Sequence, residues 1–363
     1  MKKGILLIIS CLVVFSQLQA KKAAVQDVDL DLAEQRVNGI MDMNVGSKIS
    51  GAVVCFIQDD SIAFLKAYGL KAVLPDDEIM ETQTQFELGT MSYSIGLGSV
   101  LLKMIQEGTL NVESQVKDYW EDFTSAAKVL DLYENKGGFS GKFNFQSLED
   151  AYNEDSQGKQ KAEFVKDSLS RMKRIYVPGT KVIVSRINDI MLQTLVEKIA
   201  NNTLDKVVDS EICSPLGMKA TTYHPFHLSN VAPTTRKNTS TFNSDKEKEY
   251  DELECWRGVP MDDITRVLLD GVSSFGGLFS TAEDLAKWAV WFLNLDQASR
   301  SYGFNCGLRL EDDGSRSYES NTGVYIRLRP HKNNGVIILT NKVHPDNLYD
   351  VTPIFRSIYN SFK

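Results

Sequence analysis

The sequence predicts an α/β (α+β) fold: an antiparallel sheet built from strands at both ends of the chain, flanked by helices, with a mainly helical lobe between them. Three observations carry this expectation. Hairpin patterns lie near both ends, helical apolar periodicity fills the middle, and 363 residues suffice for one large domain or two closely packed ones at roughly 100–200 residues each. The composition, 42% hydrophobic and 24% charged, is that of an ordinary globular protein. A formal charge of −8 without basic runs argues against nucleic acid or anionic lipid surfaces as partners.

The elements follow in order. Lys2 and Lys3 precede an apolar run from Ile5 to Phe15, and "QLQA" offers Ala20 for cleavage. Residues 1–20 are therefore expected to be a signal peptide, the run being shorter than the roughly 20 residues that cross a bilayer. Cys11 ends a loose lipobox, "IISC", but apolar residues continue past it, which places it inside the apolar run. An exported protein, periplasmic or secreted, without a transmembrane segment is the expectation. An acidic helix is expected from Asp29 to Met43. "GAVVCFIQDDSIAFLKAYG" then reads as two strands split by Asp59-Asp60, a hairpin.

Three helices mark the middle. Leu97, Val100, Leu101, Met104 and Ile105 keep helical spacing, and Gly108 ends that helix. Ile187, Ile190, Met191 and Leu195 make a second stripe after Ser185. In the third, Ser280 and Glu283 suggest a capping box, with Leu285, Trp288, Ala289, Phe292 and Leu293 as the buried face. Lys136 to Lys173 and Arg236 to Glu254 are polar and poorly periodic, and are expected to be loops or insertions. Near the end, Val324, Ile326 and Leu328 alternate with Tyr325, Arg327 and Arg329, and Asn334-Gly335 is the expected turn into Val336–Thr340. A helix from Val351 to Phe362 closes the chain. The sheet part is thus placed at about 25–85 and 270–363 and the helical lobe at about 86–269, within a mature unit of 21–363. Cys55, Cys213, Cys255 and Cys306 fit no metal spacing and are read as free thiols, although export would permit disulfides.

Several phrases in the same order resemble the serine β-lactamase and penicillin-binding-protein superfamily, in its class C-like branch of esterases and D-Ala-D-Ala peptidases. "FELGTMSY" is similar to F-x-x-G-S-x-x-K, "EGTLNVESQVKDYWEDF" to the segment that follows it, and "VPGTKVIVSRINDIMLQTLVEKI" to P-G-T-x-F-x-Y-S-N with its helix. "SPLGMKATTYHP", "GVSSFGGLFSTAEDLAKW" and "ILTNKVHP" resemble framework phrases. The resemblance implies a β-lactamase/transpeptidase-like fold. It also implies an acyl-transfer site in which a helix-borne serine is activated by a lysine one turn on, with a second-motif tyrosine, a basic third motif and backbone donors.

Those positions are altered together. Thr90 stands where the serine is expected, Tyr93 at the lysine, and Val184 and Arg186 at the tyrosine and asparagine of the second motif, with Ser185 kept between them. Tyr318-Glu319-Ser320 falls on the third motif, and a shift of three aligns Asn321-Thr322-Gly323 instead. A further phrase, L-L-T-H-T-S-G, survives only as "LYENKGGF". Ser114/Lys117, Ser125/Lys128 and Ser156/Lys159 match S-x-x-K by letter, but none follows a strand and glycine turn into an apolar-striped helix. His224 and His227, split by Pro225 without a clear third ligand, read as a surface loop. No triad context and no Gly-rich nucleotide loop is present.

The residues therefore predict an exported member of this superfamily with no confident catalytic residue: a pseudoenzyme without cofactor or metal. Its cleft, with Thr90, Tyr93, Ser185, Arg186 and Glu319 as ligand-binding candidates, would hold a cell-wall peptide or an envelope protein. Arg186 would either fill the old pocket or bind an anion. The alternative is a working hydrolase using Thr90 or Ser92 with Glu319 or Tyr93 as base. A third reading, an interaction protein, requires Arg186 and Tyr93 to fill the pocket.

Overall fold

The computed structural model describes residues 28–237, 253–296, 306–345 and 349–363. The expected signal peptide with Cys11, and most of the polar stretch from Arg236 to Glu254, lie outside the described residues.

Eleven strands are described: β1 (Gly51–Gln58), β2 (Ser61–Ala72), β3 (Glu78–Ile79), β4 (Phe86–Glu87), β5 (Thr234–Lys237), β6 (Leu253–Trp256), β7 (Phe279–Ser280), β8 (Arg309–Leu310), β9 (Arg316–Glu319), β10 (Val324–Arg329) and β11 (Asn334–Thr340). Seven of them form one antiparallel sheet in the order β3-β2-β1-β11-β10-β9-β8. The two ends of the chain meet at its centre, where Val54 pairs with Ile338. The expectation of one sheet from both termini is met.

Period-two alternation decides what each strand buries. Val53, Cys55, Ile57, Val324, Ile326, Leu328, Ile337 and Leu339 face the helical lobe. Ala52, Val54, Phe56, Tyr325, Val336 and Ile338 face the opposite way, onto two terminal helices, Leu30–Asn44 and Thr352–Ser361. Both faces are covered, so β1 reads as an unbroken apolar run rather than an alternating one. Phe56 stacks on Phe362 with ring centroids 4.5 Å apart, binding the C-terminal helix to the central strand.

The first hairpin turns at Asp59-Asp60 as expected. Both residues have positive φ (48° and 65°), the geometry whose twist suits a two-residue hairpin loop. The second hairpin differs. Asn334 and Gly335 lie inside β11, paired with Arg329 and Leu328. The reversal comes earlier, in a turn at Pro330–Lys332 closed by Asn333 at φ 47°. Gly335 is required by packing instead: a Cβ there would lie 2.5 Å from Leu328 Cδ2.

The three central helices occur at Gly98–Gln106, Arg186–Ala200 and Ala282–Asn294. The third is capped one residue later than expected. The Thr281 side chain accepts from Asp284 N at 3.2 Å, because Ser280 is held in β7 opposite Phe86. The polar stretch from Lys136 to Lys173 is not all loop, since it contains helices Gln146–Glu154 and Lys161–Ser170, which bury Leu148 and Phe164. Cys55, Cys213, Cys255 and Cys306 are free thiols. Among the described residues no helix is long and apolar enough to cross a membrane.

Candidate active site

β4 delivers the chain into a left-handed turn at Gly89 (φ 53°), a single 3₁₀ turn, and then a π-helical turn, Tyr93–Leu97, that runs into the Gly98–Gln106 helix. Gly89 is pinned by the β9–β10 turn. A Cβ on it would lie 2.4 Å from Asn321 Oδ1 and 2.8 Å from Ser320 Oγ. Ser320 Oγ donates to Leu88 O at 2.6 Å and Thr322 Oγ1 to Glu87 O at 2.8 Å. The far end of the sheet is thus clamped to the entry of the helix that carries Thr90.

Thr90 opens onto a cleft of about 570 Å³ that also brings together Tyr93, Ser185, Arg186, Val184 and Tyr318. Six of the positions singled out in the sequence therefore converge. Glu319 does not. Its neighbour Tyr318 points into the cleft, so alternation along β9 turns Glu319 away, into a separate depression where it accepts from Thr352 Oγ1 at 2.8 Å. Asn321-Thr322-Gly323 is the turn beyond the strand, which leaves Tyr318 as the strand residue facing Thr90.

The titratable side chain that the Thr90 hydroxyl meets among the described residues is the phenol of Tyr318, which burial raises above its usual value and so keeps protonated. The backbone groups of Thr90 are engaged: Thr90 N donates to Asn321 Oδ1 at 3.0 Å, and Tyr318 Oη donates to Thr90 O at 3.2 Å. In an acyl-transfer site the nucleophile's own N–H is among the donors that stay open for the developing oxyanion. Here a side-chain amide occupies it.

Tyr93 lies with its ring against Gly307 and Gly98, each of which would clash with it on gaining a Cβ (2.9 and 3.2 Å). Burial raises its phenol well above the usual value, so it stays neutral and holds its proton. Ser92 is fully buried, and its Oγ accepts from Leu278 N at 3.3 Å. Ser185 caps its helix, accepting from Ile187 N at 3.4 Å, and donates to Ser140 O at 2.8 Å. Val184 is 79% exposed at the rim.

Arg186 neither plugs the cleft nor stands free. Its guanidinium lies 4.2 Å over the Phe275 ring and 3.6 Å from Asp262 Oδ2. Two of the three S-x-x-K matches elsewhere have their lysines committed as well: Lys128 pairs with Glu113 at 2.8 Å and Lys159 pairs with Asp167. His224 sits 3.4 Å from Asp205.

Sequence reasoning missed Asp189, which lines the cleft one turn beyond Arg186. An acid in the first turn of a helix is ordinary capping chemistry, so nothing local singled it out. Burial pushes its carboxyl up to about 6, with Arg186 pulling the other way. Tyr133 and Asn135, from "LYENKGGF", also line the cleft, and Asn135 Oδ1 accepts from Ser185 N at 3.2 Å.

With this geometry in view the comparisons are decisive. The profile of the family described as Beta-lactamase matches residues 33–356. The chain belongs to the β-lactamase family. Among curated relatives, an N-acetylmuramyl-L-alanine amidase of Bacillus subtilis (strain 168) is 26% identical over 72% of this chain and 63% of its own length. The chain spans about three fifths of the length of the curated relatives it matches. Among solved structures, EstCE1, a hydrolase with promiscuous acyltransferase activity, superposes with a TM-score of 0.69 at 16% identity, covering 92% of this chain and 98% of that one. A class C β-lactamase in complex with cefoxitin gives 0.65 at 14% identity, covering 92% and 99%. These likenesses establish a β-lactamase/transpeptidase-like fold.

Proposed function

We propose that this β-lactamase-family protein is an exported pseudoenzyme whose cleft binds a ligand without acylating it. The observation that carries the reading is the state of Thr90. Its hydroxyl meets the Tyr318 phenol, which burial keeps protonated and so a poor base, and its N–H is taken by Asn321. The family's lysine position holds a half-buried neutral tyrosine, and its second-motif tyrosine position holds a rim valine. Such groups act as a unit, and loss of one removes most of the rate. Six aromatic side chains beside Arg186 and Asp189 leave a cleft that can still bind. A cell-wall peptide fragment is the ligand the amidase relative suggests, and an envelope protein the alternative occupant.

The test is covalent labelling of the purified protein with a fluorophosphonate and with a fluorescent penicillin, read by gel fluorescence and intact mass. No adduct is expected at Thr90. An adduct that disappears in Thr90→Ala would overturn the reading in favour of a working hydrolase. The reading of a filled pocket is not favoured, because about 570 Å³ stays open with Arg186 drawn aside onto Phe275.

A further inference from the structure

The charges of the cleft are not equivalent. Arg186 already has partners, Asp262 on one side and the Phe275 ring on the other. Asp189 has none of that kind: among the described residues no hydrogen bond or ion pair holds its carboxylate, and Arg186 reaches it only through the field. It shares the cleft with the rings of Tyr93, Tyr133 and Tyr318. Asp189 adds to the burial that raises the phenols of both Tyr93 and Tyr318. A carboxylate accepts hydrogen bonds and donates none, and a desolvated one gains most from a cation. Tyrosine faces attract the same charge.

We propose that the cleft takes a ligand presenting an ammonium group, with the carboxylate of Asp189 as its counter-ion and the rings of Tyr93, Tyr133 and Tyr318 as the surrounding wall. The proposal deepens the non-acylating reading above and rests on it for the claim that the ligand stays unmodified. Phe143, Phe145 and Val184, also on the lining, give an apolar body attached to that amine somewhere to rest. A primary amine on an aryl or alkyl stem is therefore the matching chemistry, and a free carboxylate is not.

The site also carries its own pH dependence. The groups facing Asp189 are Arg186 on its own helix, Tyr93 at the start of the Gly98–Gln106 helix, Tyr133, and Tyr318 on β9. The guanidinium is a fixed positive charge, and burial keeps the three phenols neutral. Between pH 5 and 7.5 only Asp189 changes charge within this group, its carboxyl titrating near about 6.

The experiment is calorimetric or NMR titration of the full chain with benzylamine, benzyl alcohol and benzoate at pH 7.5, and with benzylamine again at pH 5. Benzylamine is expected to bind at least about tenfold more tightly than benzyl alcohol, as charge-assisted bonds outweigh neutral ones. It should also weaken at pH 5. Asp189→Asn, isosteric and checked for folding by thermal melting, should abolish the preference for the amine. Tyr318→Leu, which leaves the carboxylate in place, should weaken benzylamine several-fold. Equal binding of alcohol and amine, tighter binding of benzoate, no binding of benzylamine, or an unchanged preference in folded Asp189→Asn overturns the proposal. A fluorophosphonate adduct at Thr90 bears only on the non-acylating reading, so the two can fail separately.

Discussion

At the scale of the residue, Thr90 and Gly89 show how a clamp and the mouth of the cleft can share one turn. Gly89 holds a left-handed φ of 53° with Asn321 and Ser320 pressed where a Cβ would be. Gly89→Ala should cost at least about 1–2 kcal/mol from the backbone conformation alone, read as a lower urea midpoint. At Gly108, where φ is 73° and nothing lies within 4 Å, an alanine should cost only that backbone penalty, and so less than at Gly89, where the close neighbours add to it. His344 sets a pH dependence of stability. Its Nε2 accepts from Val73 N at 2.9 Å and Leu74 N at 3.3 Å. Burial foremost, then Arg257, lowers it from 6.5 to about 4, against Glu78. A depressed histidine binds more protons unfolded than folded, so its contribution is complete above about 6.5 and is lost as pH falls through about 4. Urea midpoints measured from pH 7.5 down to 4 should fall less steeply in His344→Gln than in the parent. The sequence marked Thr90, Tyr93, Val184, Ser185, Arg186 and Tyr318 because a family pattern names those positions. It could not mark Asp189, whose importance comes from burial beside tyrosines brought in from other elements.

At the scale of the element, apolar spacing located the helices and left their ends to hydrogen bonding. All five residues of the predicted buried face of Ala282–Asn294 are buried, yet the cap moved from Ser280 to Thr281. Tertiary pairing of Ser280 with Phe86, and its hydroxyl's 2.7 Å contact with Thr221 Oγ1, remove it from capping. Thr281→Ala should therefore destabilise the fold by about 1 kcal/mol, within the usual range for a lost cap, measured by chemical denaturation. The same lesson holds in the second hairpin. Asn334-Gly335 looks like a turn by composition, but strand register places it in β11 and gives the turn to Asn333. The π turn at Tyr93–Leu97 has no sequence signature either. It contains Gly96 and is followed by Gly98, where the helix entry is packed against Tyr223, Tyr93 and Cys306.

At the scale of the whole molecule, a sheet covered on both faces makes the two termini interdependent. Phe362, the residue after the last helix, stacks on Phe56 of the central strand, and its carbonyl accepts from buried Arg329 Nη2 at 2.7 Å. Phe362→Ala should cost about 3–5 kcal/mol, the usual range for a buried phenylalanine, as a shift of the denaturation midpoint with unchanged slope. Alternation and periodicity in the sequence determined the sheet, its hairpins and the faces of the central helices, because those follow from where each side chain points along a strand or helix. Motif order determined the family, and with it the expectation of a cleft at Thr90. Tertiary structure decided that Asn321 occupies the Thr90 N–H, that Glu319 faces away, that Arg186 is drawn aside by Phe275 and Asp262, and that Asp189 stands among tyrosines with no ion-pair partner among the described residues. Asn321 at Thr90, Phe275 and Asp262 at Arg186, and the tyrosines around Asp189 all come from parts of the chain remote from their partners, brought there by how the sheet docks on the helical lobe.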